Sequence, residues 1–194
     1  GLIITGLCKS FGKTRANDDI SVRLIPGEVT ALIGHNGAGK TTFLNQIVGL
    51  TKPDAGSINY GSTDLIAHPA QARQICAIMP QVTSSLEGVT PRQAIATAVR
   101  IRGLKSKQAQ RAVQETLDTL DLGDWAGRPG HKLSGGIKRL TSFGMAVTAP
   151  APIYLFDEPT NDVDPVRREL LWTMLRRRAE QGATVLIVTH NLLE

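Results

Sequence analysis

The sequence predicts an α/β fold in which short apolar strands alternate with helices and an all-helical stretch interrupts them. Three observations carry this. A continuous apolar run at 29–33 leads through a glycine-rich loop into a helical pattern. Strand-like texture vanishes between about 88 and 150. It then returns as two β-rich runs, 152–156 and 184–188, with a helical pattern between them. At 194 residues and 41% apolar composition, the chain suits one domain with a sizeable core.

Taken in order, residues 2–8 and 20–25 cluster apolar and β-branched side chains and read as strands. Pro26-Gly27-Glu28 is a tight turn. The run VTALI at 29–33 is short and wholly apolar or β-branched, which predicts a strand buried on both faces. The run 41–50 has helical spacing and is ended by Gly49. Residues 56–60 and 75–79 are further strands. Thr90 is placed to cap a helix, with Pro91 at its first position and Gly103 beyond its end. In the helix that follows, Ala109, Val113, Leu117 and Leu120 share one face. A helix from Ser134 to Ala149 and another over about 165–181 complete the pattern. The expected organisation is a single domain. Its core runs over about 1–87 and 151–194, and its helical subdomain over about 88–150.

The net charge is +5. Lys and Arg are spread along the chain, and the densest run, Arg176-Arg177-Arg178, reads as a solvated helix face. Charge alone therefore does not point to a nucleic-acid partner. Cys8 and Cys76 lie far apart without metal-ligand spacing and read as reduced, buried or half-buried thiols. No apolar run approaches the roughly 20 residues of a membrane helix, and no leader pattern is present. The chain is expected to be soluble by itself. Its abrupt start, and an end at THNLLE that reads as a helix opening, lead to the expectation of a C-terminally truncated piece.

The loop 34–42, GHNGAGKTT, follows a predicted strand and opens a predicted helix. Gly34, Gly39, Lys40 and Thr41 fit the spacing G-x-x-x-x-G-K-[ST]. Small residues let backbone N–H groups close around phosphates. The helix behind turns its positive dipole end toward the anion. Gly34, His35, Asn36, Gly37, Ala38, Gly39, Lys40, Thr41 and Thr42 are thus the candidate phosphate cradle. In it Lys40 would reach the β- and γ-phosphates, and the Thr41 hydroxyl would ligate Mg²⁺.

A second constellation is IYLFDEPT, 153–160, four apolar residues ending in Asp157 and Glu158. A buried strand that delivers carboxylates at its C-terminal end matches where open α/β sheets place ligand chemistry. Asp157 is a candidate Mg²⁺ ligand, and Glu158 a candidate base or orienter for an attacking water. Adjacent strand residues point opposite ways, so the chain must bend after Asp157, and Pro159 fits that bend.

Together GHNGAGKT, LSGGIKR (133–139), IYLFDE and a histidine after the next strand resemble the nucleotide-binding domain of an ABC transporter. The motifs stand in the family's order over nearly the whole chain. Within the family, the sequence is most similar to ATPase subunits of bacterial multidrug- or antibiotic-type exporters. The resemblance implies a P-loop NTPase, RecA-like core with N-terminal antiparallel strands and an inserted helical subdomain. It implies ATP and Mg²⁺ as ligands. Phe11 matches the aromatic that stacks on adenine, and Gln81 the loop glutamine that meets Mg²⁺ or the water. Asn161, Asp162, Val163 and Asp164 match the loop that crosses to a partner subunit, and His190 matches the switch histidine on the γ-phosphate. Ser134, Gly135 and Gly136 match the signature loop, which faces a triphosphate bound by a second cassette. A plain capped helix explains the serine but not the paired glycines.

Catalysis is therefore expected from Glu158, His190, Lys40 and Gln81, with Thr41, Gln81 and Asp157 as metal ligands. The implied protein is a bacterial ATP-hydrolysing subunit on the cytoplasmic face of the membrane. It would pair head-to-tail with a second nucleotide-binding domain and engage membrane-spanning permease subunits, with no nucleic acid. Ile137 departs from the glutamine often found there. The rival readings are a soluble ABC-type ATPase of translation or DNA repair, and a clamp that binds ATP without hydrolysing it. The short insertion without long heptads disfavours a coiled-coil repair protein.

Overall fold

The computed structural model describes residues 1–82 and 86–190. The helix opening expected at 191–194 lies outside them. The chain divides into two compact units. One comprises Gly1–Ile78, Ala151–Glu158 and Arg178–Glu194; the other comprises Met79–Pro150 and Pro159–Arg177.

The first unit carries two sheets. Strands β1 (Leu2–Phe11) and β2 (Thr14–Leu24) form a long antiparallel hairpin around Gly12. The other edge of β1 pairs antiparallel with β4 (Ala55–Tyr60), which carries the two-residue β5 (Thr63–Asp64). The second strand thus begins six residues earlier than the apolar cluster at 20–25 suggested. Its first half, TRANDD, is polar and is held by pairing with β1, not by its own propensity.

The second sheet has the order β3-β8-β7-β6, where β3 is Val29–Ile33, β6 Cys76–Met79, β7 Ile153–Asp157 and β8 Thr184–Thr189. Pairing is parallel between β3 and β8 and between β7 and β8. Every residue of β7 and β8 is buried. The expectation that β3 is buried on both faces is not met among the described residues, where it stands at the sheet edge with Ala31 exposed and Ile33 48% exposed. A continuous apolar run marks a parallel strand, but burial depends on having neighbours on both sides. Helix α1 (Lys40–Ile47) buries Phe43, Leu44 and Ile47 in a core shared with Leu2, Ile4, Ile58, Leu155 and Leu186. A short helix that the sequence pattern did not reveal, α2 (Pro69–Ile75), runs directly into β6.

Among the described residues, the second unit has no strand between 88 and 150. Helix α3 (Pro91–Ile101) opens with a full capping box between Thr90 and Gln93. Helix α4 (Ser106–Thr119) buries Ala109, Val113 and Leu117, with Leu120 buried just beyond its end. Helix α5 (Gly135–Val147) packs so closely on α3 that a Cβ at Gly144 would come within 2.8 Å of Ile95 Cδ1. Helix α6 (Pro165–Glu180) follows the 161–164 loop. Cys8 is half-buried and Cys76 buried.

Candidate active site

Parallel pairing sets the site. Ile33 lies opposite Thr189, and Asp157 opposite Val188, so β3, β8 and β7 end at one level. The three chain segments that leave those ends are the glycine loop, His190 and Glu158. This is the carboxyl edge where open α/β sheets hold ligands. Gly34 N–H donates to Thr189 O (3.2 Å), which ties the start of the loop to the end of β8.

The loop ends at Gly39, the N-cap of α1, with φ +81. A Cβ there would meet Ala16 O at 2.0 Å, so both conformation and space require glycine. Among the described residues, no side chain caps α1. The amides that open it lack intrahelical acceptors and are free to bind an anion. Lys40 is 9% exposed, and its ammonium donates to Gly34 O (2.5 Å) and His35 O (3.0 Å). One residue on, Thr41 Oγ1 donates to Asp157 Oδ2 (2.5 Å). The hydroxyl and carboxylate expected to share a metal are thus adjacent, and both are hard oxygen donors. They fit Mg²⁺, which takes one or two protein oxygens and completes its shell with phosphate and water.

Glu158 is 1% exposed. Oε1 stands 3.8 Å from Lys40 Nζ and 2.9 Å from His190 Nδ1, although no aligned hydrogen bond reaches it among the described residues. Oε2 accepts from Thr189 Oγ1 (3.1 Å). The bend that turns Glu158 onto the same site as Asp157 falls at Glu158 itself, with φ +52. Its N–H still donates to Val188 O (2.9 Å), so the ladder ends in a left-handed residue. The bend thus lies directly after Asp157, as the sequence required, with the positive φ at Glu158 itself and not at Pro159. Phe11 is 54% exposed at the tip of the β1–β2 hairpin, with Lys9 Nζ 5.5 Å from its ring centroid.

Gln81, Ser134, Gly135, Gly136 and the loop 161–164 belong to the second unit. Ser134 caps α5, its Oγ accepting from Ile137 N–H (3.3 Å). The paired glycines separate into two cases. A Cβ on Gly136 would strike Asp162 O at 2.4 Å, whereas one on Gly135 would meet nothing closer than 3.8 Å. Packing against the 161–164 loop therefore accounts for Gly136, which a capped helix alone did not. Ile137 is buried, so its side chain belongs to the core of this unit. Arg139, one helical turn past Gly135, donates from Nη1 to Gln81 O (2.7 Å). The first two turns of α5 thus hold both the 161–164 loop and the glutamine segment.

These motifs, in this order and on this fold, have a counterpart. Residues 17–161 match the family described as ABC transporter. The chain belongs to the ABC transporter family. It is similar to the Nod factor export ATP-binding protein I of Burkholderia pseudomallei, at 35% identity over 91% of this chain. It spans 58% of that relative's length. Among solved structures, an ATP-binding subunit of an ABC transporter is 27% identical, with a TM-score of 0.89 over 99% of this chain and 80% of that one. A dimeric bacterial ABC transporter cassette matches all of this chain and 89% of its own, with a TM-score of 0.89; at 22% identity it speaks for the fold alone. Its fold is that of an ABC transporter's ATP-binding subunit. The translation and repair readings draw no support from these relatives.

Sequence reasoning missed two groups that hold the cassette's motifs. Thr189 binds Glu158, and its signal was its place directly before His190. Arg139 stood inside the LSGGIKR stretch without an assigned partner. Among the described residues, no helix is long and apolar enough to cross a membrane.

Proposed function

We propose that this cassette is the ATP-binding and ATP-hydrolysing subunit of a bacterial exporter. It would work as one of a head-to-tail pair on the cytoplasmic face of the membrane and drive membrane-spanning permease subunits. The observation that carries this reading is the meeting of Lys40, Thr41, Asp157, Glu158 and His190 at the ends of three parallel strands.

The opening amides of α1 and the unbonded amides of the glycine loop bind the phosphates, and Lys40 turns its ammonium from loop carbonyls to the β- and γ-phosphates. Phe11 offers an exposed ring on which adenine stacks. Thr41 and Asp157 would hold Mg²⁺, with Gln81 as a further ligand; the ion neutralises developing phosphate charge when bound. Glu158 orients the attacking water and accepts its proton, held in place by Thr189. His190, exposed and beside Glu158, reports on the γ-phosphate. Ser134 and the amides of Gly135 and Gly136 serve the triphosphate of the second cassette. ATP then closes the pair to the extent that it binds the closed state more tightly.

The test combines phosphate release with sedimentation of the Glu158→Gln variant. Hydrolysis by the native chain, and ATP-dependent dimers of the variant, are expected. A native chain that binds ATP without releasing phosphate would leave the clamp reading in possession.

A further inference from the structure

We infer that Asn17, on β2, is a positioning residue for the phosphate loop. This rests on reading 34–42 as the phosphate cradle. A helix that binds phosphate with its opening amides cannot spend them on its own Ser, Thr or Asp cap, and among the described residues α1 has no side-chain cap. Its start is fixed instead through a carbonyl. Asn17 Nδ2 donates to Gly39 O (3.2 Å), the same carbonyl that accepts the first helical bond, from Phe43 N–H (2.9 Å). The strand also fills the space beside Gly39: a Cβ there would meet Ala16 O at 2.0 Å and Asn17 Nδ2 at 2.9 Å. The left-handed Gly39 is thereby pinned through its carbonyl and at its α-carbon, and neither contact uses its amide.

Asn17 is a poor choice for stability alone. It is 2% exposed, and its Oδ1 is buried with no hydrogen-bond partner among the described residues. A buried orphan acceptor is destabilising, and an apolar residue of similar shape would remove that penalty. Gly39 O would keep its partner in Phe43. A polar side chain at this point in a β-strand is accounted for by what it holds.

The experiment compares the full chain with Asn17→Leu, Asn17→Val and Lys40→Ala by ATP titration calorimetry and thermal unfolding. Asn17→Leu and Asn17→Val are expected to unfold at or above the native temperature. They should nevertheless bind ATP roughly tenfold more weakly, the equivalent of about one hydrogen bond. Native affinity in both, with affinity lost in Lys40→Ala, overturns this inference alone. Affinity lost only together with a fall in unfolding temperature in both overturns it too, since Asn17 would then be structural. If the native chain and Lys40→Ala bind ATP equally, the phosphate cradle itself falls, and this inference with it.

Discussion

Glu158 and Lys40 face each other at 3.8 Å, carboxylate to ammonium, with side chains only 1% and 9% exposed. A buried pair of this kind is poised for exchange: Lys40 can turn to phosphate only if its attraction to Glu158 is outweighed. Glu158→Gln keeps the shape and removes the charge. It also removes repulsion between the carboxylate and bound phosphates, which is strong where water is scarce. ATP affinity is therefore expected to be equal or higher in the variant. Phosphate release should fall by roughly 10²-fold or more, the usual contribution of a positioned base. Calorimetry and a steady-state phosphate assay check both halves, and native turnover in the variant would remove Glu158 from that role.

The backbone of Glu158 gives a separate prediction. At φ +52 a residue with a Cβ is strained, by about 1–2 kcal/mol. Glu158→Ala keeps that strain and Glu158→Gly relieves it. Both lose the carboxylate, so their difference isolates the backbone. The glycine variant is expected to be the more stable of the two by about 1 kcal/mol in urea titration, after allowance for the flexibility glycine adds to the unfolded chain. An alanine variant as stable as the glycine variant would show that the bend carries no strain.

Gly135 and Gly136 should respond differently to alanine. The added Cβ at 136 lies 2.4 Å from a backbone oxygen, which cannot swing away as a side-chain tip can. Gly136→Ala is expected to lose about 1–3 kcal/mol, the usual penalty of overpacking. Gly135→Ala has room, and alanine is the better helix former, so thermal unfolding should stay at or above the native value. Any loss of ATP-driven dimerisation in Gly135→Ala then reports on the ligand side of the loop. A stable Gly136→Ala protein would contradict the close approach of Asp162.

Much of this was legible in the chain itself. The glycine loop, the carboxylate pair and the Thr90 and Ser134 caps are local, and each depends on spacing within one segment. The face of α4 was legible for the same reason. What escaped the sequence depends on neighbours remote in the chain. Asn17 gains its partner 22 residues away, and Arg139 58 residues away. The separate reason for Gly136 lies in a loop some 26 positions downstream, and no pattern around LSGG shows it. The positive φ of Glu158 arises where a strand must end and still present two adjacent side chains to one site.

Asp164 closes the 161–164 loop and opens α6, and its chemistry makes this end of the cassette acid-sensitive. Its Oδ1 accepts from Arg167 N–H (3.0 Å), and Oδ2 pairs with Arg167 Nη1 (3.0 Å). The backbone hydrogen bond, with the Arg167 side chain adding to it against a desolvation penalty, lowers its pKa below the ordinary 3.8. The folded state thus holds this proton less tightly than the unfolded state. The stabilisation is complete above the unfolded pKa and is lost as pH falls through the lower folded value. With 45% of the side chain exposed, the ion pair is screened, and the cap supplies most of the effect. Asp164→Ala is expected to be less stable by about 1 kcal/mol near neutral pH, and Asp164→Asn, which keeps a capping oxygen, by less. The gap between native and alanine proteins should stay level down to about pH 4 and close below it. Urea midpoints taken across that range decide the matter: a gap unchanged well below the carboxylate range would mean that the Asp164 charge contributes nothing.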